Sequence, residues 1–171
     1  MDYTETKLAE NKRGELYFMV GSARSGKSTI SKNLAKELNA IIITPDSFRL
    51  AIHNQGFLLQ AEPTVWSHVD VAVRAILING DNVLLDEVNV IARDREHWRS
   101  LGGKGFYVQC PLEVCLGRAN EENNEGFKDS IRDMHKNLET FDPYDKNERI
   151  VRIYSTPNGT DYSTDYSEFN I

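Results

Sequence analysis

Gly21, Gly26, Lys27 and Ser28 are the residues whose types and spacing bear most directly on chemistry. They lie in the run Gly21-Ser22-Ala23-Arg24-Ser25-Gly26-Lys27-Ser28-Thr29. Two glycines at this separation let the backbone bend so that successive N–H groups face one concavity, an anion nest at a helix N-terminus. Lys27 is placed to reach the β- and γ-phosphates of a nucleoside triphosphate, and the Ser28 hydroxyl to ligate Mg²⁺. An apolar run, Leu16-Tyr17-Phe18-Met19-Val20, precedes the loop and a helical pattern follows it to Leu38. Strand, turn and helix in that order are the context such a loop needs.

Three further groups could act on a bound phosphate. Thr44-Pro45-Asp46-Ser47-Phe48-Arg49 follows a second apolar run. A carboxylate there would lie beside the phosphate loop, where a base must hold an acceptor hydroxyl and take its proton. Asp46 is read as that base, and Pro45-Asp46 equally suits a helix start that Asp46 would cap. Arg49 falls on the same helical face and could hold a phosphate or developing charge on the acceptor side. A third run ends Leu85-Asp86-Glu87-Val88-Asn89. An apolar strand closing on aspartate is what a Mg²⁺-organising carboxylate requires, which assigns the metal to Ser28 and Asp86. Asn89 follows, then Arg93, Arg95 and Arg99, of which Arg95 is the choice for a substrate phosphate. Arg118 ends a helical segment that runs into the polar loop 121–126, the place for an arginine-bearing lid.

The elements that must position these residues alternate. Strands are expected at 15–20, 40–44, 82–85, 105–109 and 150–154, and helices near 27–38, 47–53, 64–79, 93–101, 111–119 and 128–138. That order implies a parallel sheet with helices on both faces and ligands at the carboxyl ends of the strands. Each candidate residue falls just after an expected strand or in a helix capping that edge. Asn79-Gly80-Asp81 and Gly102-Gly103 read as turns. Trp66, on the helix after the acceptor segment, is a core residue or a base-stacking platform. None of His53, His68, His97 and His135 has metal-binding spacing, and the tail 157–171 shows no periodicity.

Composition bounds the rest. A chain of 171 residues fits one domain, and the apolar runs are far short of a membrane span. With no signal peptide at its start, the chain is expected in the cytoplasm of a cell or of an infected host. A net charge of −6 argues against a broad coating of nucleic acid but not against one short strand on a local basic patch. Cys110 and Cys115 stand too far apart for a Cys-x-x-Cys pair and are read as small buried hydrophobes.

Taken together, these residues resemble the small P-loop kinases typified by the polynucleotide 5′-hydroxyl kinases, over about 16–134. The loop matches the family pattern from Gly21 to Thr29, Asp46-x-x-Arg49 its acceptor element, and Asp86-x-x-Asn89 with Arg95 and Trp98 its third. The resemblance implies a three-layer α/β/α P-loop NTPase fold with a five-stranded parallel sheet and a small helical lid at 118–134. It implies ATP and Mg²⁺, activation of a 5′-hydroxyl by Asp46, orientation of the acceptor by Arg49, Asn89 and Arg95, and closure by Arg118. The family's lid carries a second arginine where this chain has Glu122, with Lys128 or Arg132 as substitutes. The expectation is ATP-dependent phosphorylation of a polynucleotide 5′ end, a single strand. The alternatives are a kinase of a small nucleoside, sugar or antibiotic hydroxyl, or a nucleotide-binding module without transfer.

Overall fold

A computed structural model of the chain describes residues 13–120, 124–142, 150–156 and 159–161. The first strand, β1 (Leu16–Val20), is buried along its whole length. A run with no polar alternation needs cover on both faces, and the centre of a parallel sheet provides it. β1 lies between β3 (Asn82–Leu85) and β4 (Lys104–Gln109), parallel to both. β2 (Ala40–Ile43) pairs outside β3, and β5 (Ile150–Thr156) outside β4, again parallel. The sheet order is β2-β3-β1-β4-β5-β6.

Alternate side chains of β1 leave the sheet on opposite faces. Leu16, Phe18 and Val20 pack with Val65, Val69, Val73 and Leu77 of α3 (Glu62–Ile78) and Trp98 of α4 (Ala92–Ser100). Tyr17 and Met19 pack on the other side with Ile30, Leu34 and Leu38, which belong to α1 (Lys27–Glu37) and its C-cap. Three layers result, α/β/α, with all the parallel strands ending toward the same edge. α2 (Pro45–His53), α5 (Leu112–Ala119) and α6 (Glu125–Glu139) complete the described helices.

Several boundaries differ from the sequence reading. β6 (Gly159–Asp161) pairs antiparallel with β5, so the five parallel strands gain an antiparallel edge. Three residues carry too short a pattern for a period to be read. α2 starts at Pro45 with Thr44 in the cap position, so Asp46 sits in the first turn and is not the cap. α3 starts at Glu62, ahead of Pro63, because proline is tolerated in a first turn where its missing N–H costs nothing. α6 starts at Glu125, where the Asn124 side chain accepts from the Phe127 amide at 3.2 Å. Glu122, the rest of the loop 121–123 and most of the tail lie outside the described residues. Among those described, no helix is long and apolar enough to cross a membrane.

Candidate active site

The phosphate loop leaves the carboxyl end of β1 in a conformation few side chains tolerate. Gly21 has φ 150°, and a Cβ on it would come within 2.9 Å of the Val108 carbonyl. Its N–H donates to the Val88 carbonyl at 2.8 Å, tying the loop to the segment after β3. Arg24 and Gly26 have φ 62° and 99°, and Gly26 caps α1 by accepting from the Thr29 and Ile30 amides. This turn aims the loop amides inward. Ser22 is buried, Ala23 half-buried and Arg24, Ser28 and Thr29 exposed. The buried Ser25 hydroxyl has no partner among the described residues, which fits a concavity built to be filled by an anion.

Lys27 opens α1 and is only 7% exposed. Its ammonium donates to the Ser22 carbonyl at 2.6 Å, folding the side chain back across the loop. Burial pushes its pKa down, opposed by the carboxylates of Asp86 and then Glu87. Asp86 follows β3, its amide donating to the Ile43 carbonyl at 2.9 Å. That bond places the ends of β2 and β3 together and brings Asp86 toward Lys27. Glu87 is pushed above the usual carboxylate range, chiefly by burial.

Asp46 and Arg49 meet as their spacing requires, with Arg49 Nη1 2.6 Å from Asp46 Oδ1. The Asp46 side chain is 82% exposed and that of Arg49 only 9%. Arg49 is held by a residue the sequence reading missed. Glu62 takes its Nε at 2.9 Å and its Nη2 at 2.8 Å, a bidentate pair, and also accepts from Trp66 Nε1 at 3.0 Å. Glu87 approaches the same guanidinium at 3.9 Å. The only signal for Glu62 was Glu-Pro at a helix start; its partner lies thirteen residues back and only the tertiary fold joins them.

Truncating Glu62 should therefore cost more than a surface change. Removing one partner of a buried ion pair costs about 3 kcal/mol, and Glu62→Ala should lower Tm by roughly 6–12 °C. The Arg49 hydrogen bonds hold the Glu62 pKa below its ordinary value, overcoming burial. A carboxylate depressed in the folded state adds stability above its unfolded pKa and loses it as pH falls through the folded one. Glu62→Gln should accordingly flatten the acid limb of a Tm-against-pH curve. An unchanged slope below pH 4.5, the ordinary value, would show that the pair carries no such stability.

Asn89 and Arg95, expected at the acceptor, are taken into the fold. Asn89, with φ 44°, is 2% exposed and donates through Nδ2 to the Met19 carbonyl at 2.8 Å. Arg95 Nη1 donates to the Asn89 and Val90 carbonyls at 3.1 and 3.0 Å, and its guanidinium stacks over Phe141 at 4.5 Å. Both hold the loop that buttresses the phosphate cradle. Arg118 lies against the loop, its Nη1 3.0 Å from the Arg24 carbonyl and 3.3 Å from the Ser155 hydroxyl. Helix α6 also reaches the loop, by contacts with no signal in the sequence. Met134 Sδ accepts from the Ala23 amide at 3.3 Å, and Phe127 lies 5.8 Å from the Arg24 guanidinium. Lys128 and Arg132 are paired with Glu125 and Asp129 on their own helix.

Comparison with known proteins shows what this fold is similar to. A chain of the Pnkp1/Rnl/Hen1 RNA repair complex superposes with a TM-score of 0.62 over 81% of this chain, at 21% identity. This chain spans about half that chain's length, 49%. A gluconokinase from Sinorhizobium meliloti 1021 matches at 0.60, with 14% identity over 86% of this chain and 85% of its own. The Mycobacterium tuberculosis APS kinase CysC, solved with AMPPNP and APS, matches at 0.55, with 15% identity over 75% of this chain and 99% of its own. No curated protein sequence matches the chain. A family model described as an AAA domain covers residues 16–141, from the first residue of β1 to just past α6. The chain belongs to that family and has the P-loop kinase fold.

Proposed function

We propose that the chain moves the γ-phosphoryl group of ATP to a hydroxyl, the acceptor being the 5′ end of a polynucleotide strand. The observation that carries the reading is the carboxylate of Asp46, exposed to an incoming alcohol while Arg49 holds it at 2.6 Å. An acceptor hydroxyl there would form a bond to the γ-phosphorus as the bond from that phosphorus to the β–γ bridging oxygen breaks. Its proton goes to Asp46. Lys27 and the amides from Gly21 to Thr29 hold the phosphates, and Arg118 lies against the same loop from the lid side. The Ser28 hydroxyl is exposed and the Asp86 carboxylate half-buried, two oxygens of the kind Mg²⁺ takes when phosphates and water supply the others. Bound there, the cation would neutralise charge on the β- and γ-oxygens. Asn89 and Arg95 serve the acceptor by fixing the loop behind it.

A polynucleotide is supported by the Asp46-x-x-Arg49 and Asp86-x-x-Asn89 elements and by the likeness to the RNA repair chain. One observation favours a small neutral alcohol instead. Arg49 faces three carboxylates, those of Asp46, Glu62 and Glu87, which leaves the acceptor end net negative and unfavourable to a phosphodiester. Labelled ATP offered with 5′-hydroxyl DNA and RNA oligomers, beside free nucleosides and polyols, separates the two. Label should appear on the oligomer ends. Label confined to the small alcohols would replace the acceptor and keep the phosphotransferase, whereas nucleotide binding with no acceptor labelled would remove transfer altogether.

A further inference from the structure

Cys110 and Cys115 are joined by the fold to the arginine that touches the phosphate loop. Cys110 follows β4 and Cys115 lies on α5, and both are buried free thiols. The first turns of α5 fold back on the strand end, so that Cys110 and Cys115 pack together in one small buried cluster with Ala119 and Ile131. Arg118 Nη1 lies 3.7 Å from Cys110 Sγ, and the same nitrogen donates to the Arg24 carbonyl and the Ser155 hydroxyl. Cys110 also forms part of the wall of a cavity of about 460 Å³, with Tyr107, Gln109, His135, Tyr154 and Ser155 around it. A small solute can reach this sulfur, whereas Cys115 is wholly covered.

We propose that Cys110 and Cys115 are a peroxide-reactive thiol pair whose oxidation to a disulfide loosens Arg118 from the phosphate loop. The two sulfurs have unequal roles. Hydrogen bonds from Cys115 and Ser155, with the charge of Arg118, hold the Cys110 thiol below the ordinary range against burial and the nearby Glu113. Cys115 is pushed up as the donor of that bond. Cys110, which opens on the cavity with the Arg118 guanidinium at 3.7 Å, is therefore the sulfur that attacks, and the covered Cys115 the one that resolves.

With hydrogen peroxide, the Cys110 sulfur forms an S–O bond as the O–O bond breaks, and the departing hydroxide leaves as water after taking one proton. Cys115 sulfur then attacks the sulfenic sulfur. The S–S bond forms, the S–O bond breaks, and the second hydroxide leaves as water with the Cys115 proton. Two thiols are oxidised and one peroxide is reduced to two waters. The disulfide carries no charge, so Arg118 loses the sulfur partner that helps hold it beside Arg24. This last consequence rests on the proposed role of Arg118 in nucleotide binding; formation of the bond does not.

Both cysteines fall in a single tryptic peptide, residues 105–118, which makes the test direct. The full chain is treated with dilute peroxide, alkylated and digested, and ATP affinity is measured before and after by calorimetry. The peptide should lose two hydrogens and resist alkylation, ATP affinity should fall by about fivefold or more, and a dithiol should restore both. Cys115→Ala should instead stop at the sulfenic acid, captured by dimedone on the same peptide. Two thiols still open to alkylation after peroxide would overturn the pair. A disulfide that leaves ATP affinity within about twofold would overturn its link to Arg118. If the reduced chain bound no ATP, the functional reading would fail and the peptide masses would still decide the thiol chemistry.

Discussion

Asp46→Ala should abolish transfer while leaving ATP affinity and stability close to those of the parent. A positioned general base contributes about 10²–10⁴-fold, and the kinase step has few other groups that could take the acceptor proton. The side chain is 82% exposed, so its removal opens no cavity and buries no orphaned group. Arg49 loses one contact and keeps both bonds to Glu62, so the acceptor segment should hold its shape. The carboxylates that act most on Lys27 are Asp86 and then Glu87, and Asp46 reaches it only through its smaller effect on Glu87, so the phosphate side should register the change little. The measurements are transfer of label from ATP to the acceptor that serves the parent, nucleotide affinity by calorimetry, and Tm. Transfer within about tenfold of the parent would remove Asp46 as the base. Loss of ATP affinity in parallel would place it at the phosphates instead.

The separation between these two sides follows from features with very different visibility in the sequence. The phosphate loop was legible because its chemistry is performed by the backbone. Only glycine accepts φ 150° at position 21 against the Val108 carbonyl, so the constraint is written as residue type and spacing. β1 and β3 were legible because strands covered on both faces read as unbroken apolar runs. Arg49 could be placed on the face of Asp46, since neighbours three apart on a helix must meet. Its fixation by Glu62 could not, because that pairing crosses from α2 to α3 and local sequence carries no trace of it. Met134 beneath the Ala23 amide was hidden for the same reason, 111 residues away. Asn89 and Arg95 carried a different ambiguity. Polar residues after a strand serve a ligand or the loop itself, and the carbonyls of Met19, Asn89 and Val90 decide for the loop.

The same division explains how the cradle holds a buried cation before any phosphate arrives. Lys27 gives up most of its hydration, retains the Ser22 carbonyl, and relies on Asp86 and Glu87 for compensating charge. Glu87 is itself pushed toward neutrality by burial, which weakens that compensation. An ammonium held this way costs the folded state free energy that a triphosphate would return.

Lys27→Met should therefore give the second large effect, with opposite signs in function and stability. Methionine matches the length of the buried stem without a charge to desolvate, and desolvation is the largest influence on this ammonium, so its removal should be neutral or stabilising. Because the folded pKa of Lys27 is lowered, the folded state binds its proton less readily than the unfolded chain does. Its destabilising contribution is then fully present below the folded pKa and fades as pH rises from there toward the unfolded value. At neutral pH the variant should melt no lower than the parent, with any gain shrinking under alkaline conditions. Transfer should fall by at least about 10³-fold, since Lys27 is the cation assigned to the β- and γ-phosphates, and ADP affinity should fall less than ATP affinity. Melting curves across pH, calorimetry with both nucleotides and the transfer assay test each part. A variant that melts well below the parent would show that Lys27 stabilises the loop through Ser22 rather than waiting, at a cost, for an anion. Equal loss of ATP and ADP would move its contact away from the γ-phosphate.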